Sequence, residues 1–158
     1  MSTESINLAE LAEFVAAASA ATFAGNGKET KAQRPDFHEF LFDDGEWNYR
    51  DSYTGWYRSR GMEVVRLDGR IVWATCYGGG METGLEEMAG ETFTFLKQAL
   101  SQKPTEWHSF RGPNVLESGE WRYTYEQVGN IEEFVGHEQI FFAGKRVFFH
   151  QISGGVVR

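Results

Sequence analysis

The sequence predicts an α+β fold that is internally duplicated, with two helices packed on antiparallel sheet, and three observations predict it. First, Gly61–Gly79 (GMEVVRLDGRIVWATCYGG) is echoed by Gly136–Gly155 (GHEQIFFAGKRVFFHQISGG) at an offset of 75 without a gap, so that Gly61 falls on Gly136, Glu63 on Glu138, Gly69 on Gly144 and Val72 on Val147. Second, Gly45-Glu46-Trp47-Asn48-Tyr49 falls on Gly119-Glu120-Trp121-Arg122-Tyr123 at an offset of 74. Third, a helical pattern precedes each group of strand patterns. The expected plan is one domain over residues 1–158, made of pseudo-repeats 6–80 and 81–157, each a helix followed by antiparallel strands.

The elements follow in order. Asn7 is placed to cap a first helix, with Glu10 three residues on and Ile6 and Leu11 spaced as a hydrophobic staple. Leu8, Leu11, Val15, Ala18 and Thr22 recur on one face, and Gly25 offers a left-handed exit. Residues 26–35 read as a polar connector. Strands follow over Phe37–Phe42 and Glu46–Tyr53, separated by the turn Asp43-Asp44-Gly45. Thr54–Arg60 reads as a loop. Met62–Leu67 and Arg70–Tyr77 flank Asp68-Gly69, a strong signal for a tight hairpin turn. Gly78-Gly79-Gly80 reads as a flexible connection between the halves. A second helix has Thr83 and Glu86 spaced as a capping box, a stripe of Leu85, Met88, Thr92, Phe95 and Ala99, and Pro104 as its stop. The remaining strands are a weak one at Asn114–Leu116, then Trp121–Gln127, Phe134–Phe142 and Lys145–Ile152, with Ala143-Gly144 as the matching turn.

Composition narrows the function classes. Of 158 residues, 41% are hydrophobic and 15% aromatic, which excludes a disordered chain. The net charge of −8, with lysines and arginines scattered singly, argues against direct contact with a phosphate backbone. A single cysteine, Cys76, excludes an internal disulfide and a multi-cysteine zinc site. The alanine-rich run from Leu8 is too polar and too short for a membrane span and lacks the basic start of an export signal, so the expected location is cytoplasmic, away from membranes. The histidines (His38, His108, His137, His150) lack metal-site spacing, no Gly-x-Ser-x-Gly elbow occurs, and the glycine run departs from the dinucleotide pattern. No metal, cofactor or catalytic residue is therefore assigned from sequence, and the oligomeric state is left open.

The candidate site lies on the second strand. Alternation puts Trp47, Tyr49, Asp51 and Tyr53 on one face, and a carboxylate among rings is costly to bury without a partner. One reading is a ligand anchor, with aromatic walls for a flat or cationic group and Asp51 for its charge. The plainer reading is a solvent-facing side, or Asp51 paired with Arg50 or Arg66. Glu63 and Glu138 form the acidic pair retained in both hairpins. Either they meet near a pseudo-twofold axis, to hold a cation or a proton, or each makes a structural hydrogen bond or ion pair.

Several runs resemble an uncharacterised bacterial family, one of the domains of unknown function: Ala21-Thr22-Phe23-Ala24-Gly25, Tyr49-Arg50-Asp51-Ser52-Tyr53, Gly61-x-Glu63-Val64, and Trp73 through Tyr77-Gly78-Gly79. In that family the domain stands alone or follows a helix-turn-helix domain in transcription regulators, and the resemblance implies a small-molecule sensor, here of the free-standing kind. The repeated helix-plus-strand plan is also similar to the duplicated effector-binding domains of multidrug-responsive regulators, whose hydrophobic, often cationic ligands sit in an aromatic cleft over a buried glutamate. The expected function is binding of a small, largely apolar molecule, cations included, in a cleft formed by Trp47, Tyr49, Asp51, Tyr53, Glu63, Trp73 and Tyr77, with Glu138 next. Two alternatives stand beside it. One is an enzyme on a small organic substrate, with Asp51 or Glu63 as general base. The other is an interaction module that dimerises through an exposed aromatic strand.

Overall fold

A computed structural model describes residues 6–22, 27–102 and 110–158. The chain runs α1 (Leu8–Ala21), β1 (His38–Asp44), β2 (Trp47–Gly55), β3 (Arg58–Leu67), β4 (Arg70–Met81), α2 (Ala89–Leu100), β5 (Val115–Ser118), β6 (Trp121–Asn130), β7 (Glu133–Phe142) and β8 (Lys145–Val156). All eight strands join one antiparallel sheet in the order β1-β2-β3-β4-β8-β7-β6-β5.

This corrects the expected α+β class and its repeated helix-plus-strand units. The chain is mainly β. Strands β4 and β8 pair from Trp73↔Val156 to Met81↔Phe148, so backbone hydrogen bonding passes unbroken through the middle and neither half has a sheet of its own. The helices, of 14 and 12 residues, cover part of one face of this sheet. The likeness that remains visible is local: the hairpins β3–β4 and β7–β8 shift register at Val65/Arg66 and Ile140/Phe141, and both turn through two residues of positive φ, Asp68-Gly69 and Ala143-Gly144.

Helix α1 starts as its cap dictates. The Asn7 side chain accepts from the amides of Ala9 (3.0 Å) and Glu10 (3.4 Å) and donates to Glu10 (2.9 Å). The helix buries Leu11, Ala12, Phe14, Val15 and Ala18, and Phe14 stacks on Trp47 of β2. The expected capping box on α2 does not form. Thr83 lies outside the helix, a single 3-10 turn over Glu86–Met88 intervenes, and Met88 precedes α2 without a side-chain cap. Helix α2 instead docks by its apolar side, with Phe95 against Trp121 and Phe93 against Phe148. The Gly25 exit and the Pro104 stop fall outside the described residues.

Two connections differ from expectation. The loop over Thr54–Arg60 is a tight turn at Trp56-Tyr57, because β2 and β3 stay paired out to Gly55↔Ser59. Gly78-Gly79-Gly80 is not a flexible link but the end of β4, flanked by β3 and β8. Gly79 (φ 147°) and Gly80 (φ 139°) adopt backbone that side chains avoid, and a methyl would strike the Phe149 carbonyl of β8 at Gly79 and the Tyr57 carbonyl of the β2–β3 turn at Gly80.

One face of the sheet carries the core. Across it run ordered rows. Tyr49, Val65 and Trp73 form one, Phe40, Asp51, Glu63 and Thr75 the next, Tyr53, Gly61, Tyr77 and Ile152 a third, and Ser59, Gly79, His150 and Glu138 a fourth. These rows make the floor of the candidate site.

Candidate functional site

Between α1, α2 and the sheet lies a cavity of about 380 Å³. Its floor is polar, formed by Asp51, Glu63, Tyr49 and Tyr77 with Arg111 and His150 beside them, and its walls include Phe40, Tyr53, Trp56, Phe93 and Phe148. A more open depression of about 790 Å³ lies on the other face, lined by outward residues such as Cys76, Val128 and Val135. The side chains that line that depression include no buried polar group, whereas the enclosed cavity has several.

Asp51 and Glu63 stand directly opposite each other on β2 and β3 and are only 5% and 6% exposed. Opposed side chains in a ladder have Cβ atoms about 5 Å apart, a spacing at which two like charges repel. Asp51 is steered by a tyrosine. The Tyr77 hydroxyl donates to Asp51 Oδ1 at 2.7 Å, and Tyr49 stands beside Glu63 on the floor. Tyr77 reaches Asp51 because Gly61 leaves room for its ring; a methyl there would run into it. The second Asp51 oxygen accepts from no donor among the described residues. Burial pushes Asp51 up to about 6, against the opposing pull of Tyr77 and Arg111. Glu63 is pushed up to about 8 by burial and then by Asp51, with Arg111 and Tyr49 opposing. The pair titrates as a unit, and at neutral pH it holds a proton.

The far side of the floor is ionised instead. Arg111, from the segment before β5, grips Glu138 with two hydrogen bonds of 3.1 and 3.0 Å, and Tyr123 donates to the same carboxylate at 2.6 Å. Burial alone would raise Glu138, but the Arg111 guanidinium outweighs it and the carboxyl comes down to about 2. His150 Nδ1 lies 3.3 Å from Glu138 at angles that make no hydrogen bond, and Nε2 lies 3.4 Å from Ser59 Oγ. Burial lowers the His150 affinity for protons more than Glu138 raises it, so the ring is neutral at neutral pH.

Of the sequence-derived residues, Tyr49, Asp51, Tyr53, Glu63 and Tyr77 line the cavity. Trp73 and Trp47 do not. Trp73 is fully buried in the core, donating to the Ile131 carbonyl at 3.0 Å, and Trp47 packs on Phe14. Glu138 sits behind Arg111 rather than on the cavity wall, and Glu63 opposes Asp51 rather than Glu138. Asp51 pairs with neither Arg50 nor Arg66: Arg50 faces the opposite side and bonds buried Glu39, which also holds the Gln33 amide. Arg111, His150, Ser59 and the wall ring Phe93 were not found from sequence; Arg111 lies in a loop, His150 and Ser59 in strands whose mutual register only the fold supplies, and Phe93 on a helix whose docking only the fold supplies. Among the described residues no cluster of three or more His, Cys, Asp or Glu is placed to hold a metal ion, and no helix is long and apolar enough to cross a membrane.

A family model described as a domain of unknown function (DUF5680) matches residues 51–157. The chain belongs to this family. The DUF5680 match begins at Asp51 and takes in Glu63, Tyr77, Arg111, Glu138 and His150, while α1, β1 and Tyr49 precede it. No curated protein and no solved structure shows a significant match.

Proposed function

We propose that the chain binds a small, largely apolar molecule, with cations favoured, in the cavity over β2–β4. The observation that carries this reading is the pairing of a roughly ligand-sized cavity, about 380 Å³, with a buried carboxyl pair at its floor and aromatic walls. A small-molecule sensor of bacterial origin is the role that the sequence resemblance implies for such a pocket. A thermal-shift screen tests it, using planar cations against neutral and anionic isosteres on the wild type, Asp51→Asn and Glu63→Gln. Stabilisation by cations that weakens in both variants supports the reading; no stabilisation by any compound removes it.

A second reading is acid–base catalysis on a small organic substrate. It is favoured by two opposed carboxyls on the cavity floor, both raised by burial, with the Tyr77 hydroxyl 2.7 Å from Asp51 Oδ1 as a further proton donor. The interaction-module reading needed the aromatic strand on the surface. Tyr49 is buried, and β2 turns this face toward α1.

A further inference from the structure

We propose that the group seated between Asp51 and Glu63 is an organic cation that carries N–H bonds, a protonated primary amine or its equivalent, and that its binding displaces a proton from this floor. This rests on the cavity reading above and gives it a ligand class.

The first argument is charge. With both carboxyls ionised, the pair has no cation of its own. Arg111 is committed to Glu138 through two hydrogen bonds, and the buried His150 ring is neutral. Lys97 on the α2 wall and Glu29 near Tyr53 bring one charge of each sign to the cavity lining. Without such a cation the floor keeps a proton at neutral pH. An arriving monocation supplies the same charge, so one cation in and one proton out leaves the floor's charge unchanged.

The second argument is hydrogen bonding. Tyr77 meets Asp51 through its hydroxyl tip, not its ring face, at 2.7 Å. That hydroxyl fills one acceptor. The second oxygen of Asp51, a residue 5% exposed, accepts nothing among the described residues, and further lone pairs remain on Glu63. A quaternary ammonium, suited to a cage of ring faces, offers no donor to these oxygens. An –NH₃⁺ group offers three, and a charge-assisted hydrogen bond is roughly twice as strong as a neutral one. The rings that line the walls above, Phe40, Phe93 and Phe148, suit the apolar remainder of the amine.

The third argument is size. At about 380 Å³ the cavity lies near the lower end of ligand pockets, which fits an arylalkyl amine better than a large polycyclic cation.

The experiment is isothermal titration calorimetry of the full chain with three probes of matched shape: 2-phenylethylammonium, its N-trimethyl derivative and neutral 2-phenylethanol, from about pH 5 to about pH 8. The expected result is that the primary ammonium binds about tenfold or more tightly than either analogue. Its affinity should rise with pH, approaching tenfold per unit where the floor's proton is bound, with proton release visible as a dependence of the heat on buffer. In Glu63→Gln, and independently in Asp51→Asn, the pH dependence should flatten. If the trimethyl compound or the alcohol binds as tightly as the amine, or if the wild-type affinity is flat with pH, the inference is overturned while the cavity reading stands. If none of the three binds, both fall.

Discussion

Asp51 and Glu63 set the direction of the pH dependence of stability. Both hold protons more tightly in the folded chain than in the unfolded one, so folding takes up protons, and stability falls as pH rises from the ordinary carboxylate range to about 8. Glu138 acts in the opposite sense. Its carboxyl is held at about 2, and the stability it contributes is lost as pH falls from the ordinary range toward that value. The unliganded protein should therefore be more stable near pH 5 than near pH 8.5, and Glu63→Gln should remove on the order of 1–3 kcal/mol of that difference. Urea unfolding at the two pH values checks this; a wild type more stable on the alkaline side contradicts it. Arg111→Met leaves Glu138 buried without its cation and should cost about 3–5 kcal/mol at neutral pH by the same measurement, with the loss relieved in acid as Glu138 takes up a proton. At this scale the sequence was informative where alternation decides. Tyr49, Asp51 and Tyr53 share a face because they are two residues apart on one strand, and a carboxylate among rings is a legible anomaly. Arg111 was not legible, since it lies in a short irregular segment and reaches a glutamate 27 residues away. Trp73 shared the right face but stands in the next row, where its indole is used up by the core.

The hairpins were the most legible elements, because strand periodicity and turn chemistry agree there. The turns nevertheless differ in cost. Asp68 (φ 51°) and Ala143 (φ 48°) occupy the same left-handed position, which aspartate tolerates and alanine does not. Ala143→Asn should therefore stabilise the protein by about 0.5–1 kcal/mol, and Asp68→Ala should destabilise it by a similar amount, read from denaturant midpoints at unchanged slope. Equal and negligible effects at both positions would show that the turns are not held in this conformation. The Gly78–Gly80 run misled for a physical reason. Glycines mark breaks when nothing else constrains the chain, but here they let three strands approach where side chains would collide, a fact held in the neighbouring strands and not in the run itself. Gly61 is a sequence-silent part of the site for the same reason: Gly61→Ala should push the Tyr77 ring away from Asp51, raising the pH at which the pair loses its proton and weakening cavity ligands.

For the molecule as a whole, the net charge of −8 with scattered basic residues predicts that the purified chain will show no submicromolar binding to duplex DNA at physiological salt, as checked by gel shift. The fold class was the least legible property. A repeat in sequence is compatible with two separate sheets or with one shared sheet, and the choice lies in the pairing of β4 with β8, between residues as far apart as Trp73 and Val156. No local preference encodes a contact of that range. The same pairing governs how the chain reaches its native state. The meander β1–β4 is built from neighbours in sequence and can zip early, with Tyr77 already on Asp51. The seam must wait for a strand more than seventy residues later, which places its closure among the slow, high-contact-order steps of folding. During synthesis, at about 5–20 residues per second, β4 is a bare edge for several seconds before β8 emerges, with three glycines and no charged side chain from Val72 to Met81 to deter another strand. Refolding yield should accordingly drop steeply with protein concentration, because a second chain can offer β4 a partner sooner than its own β8 does.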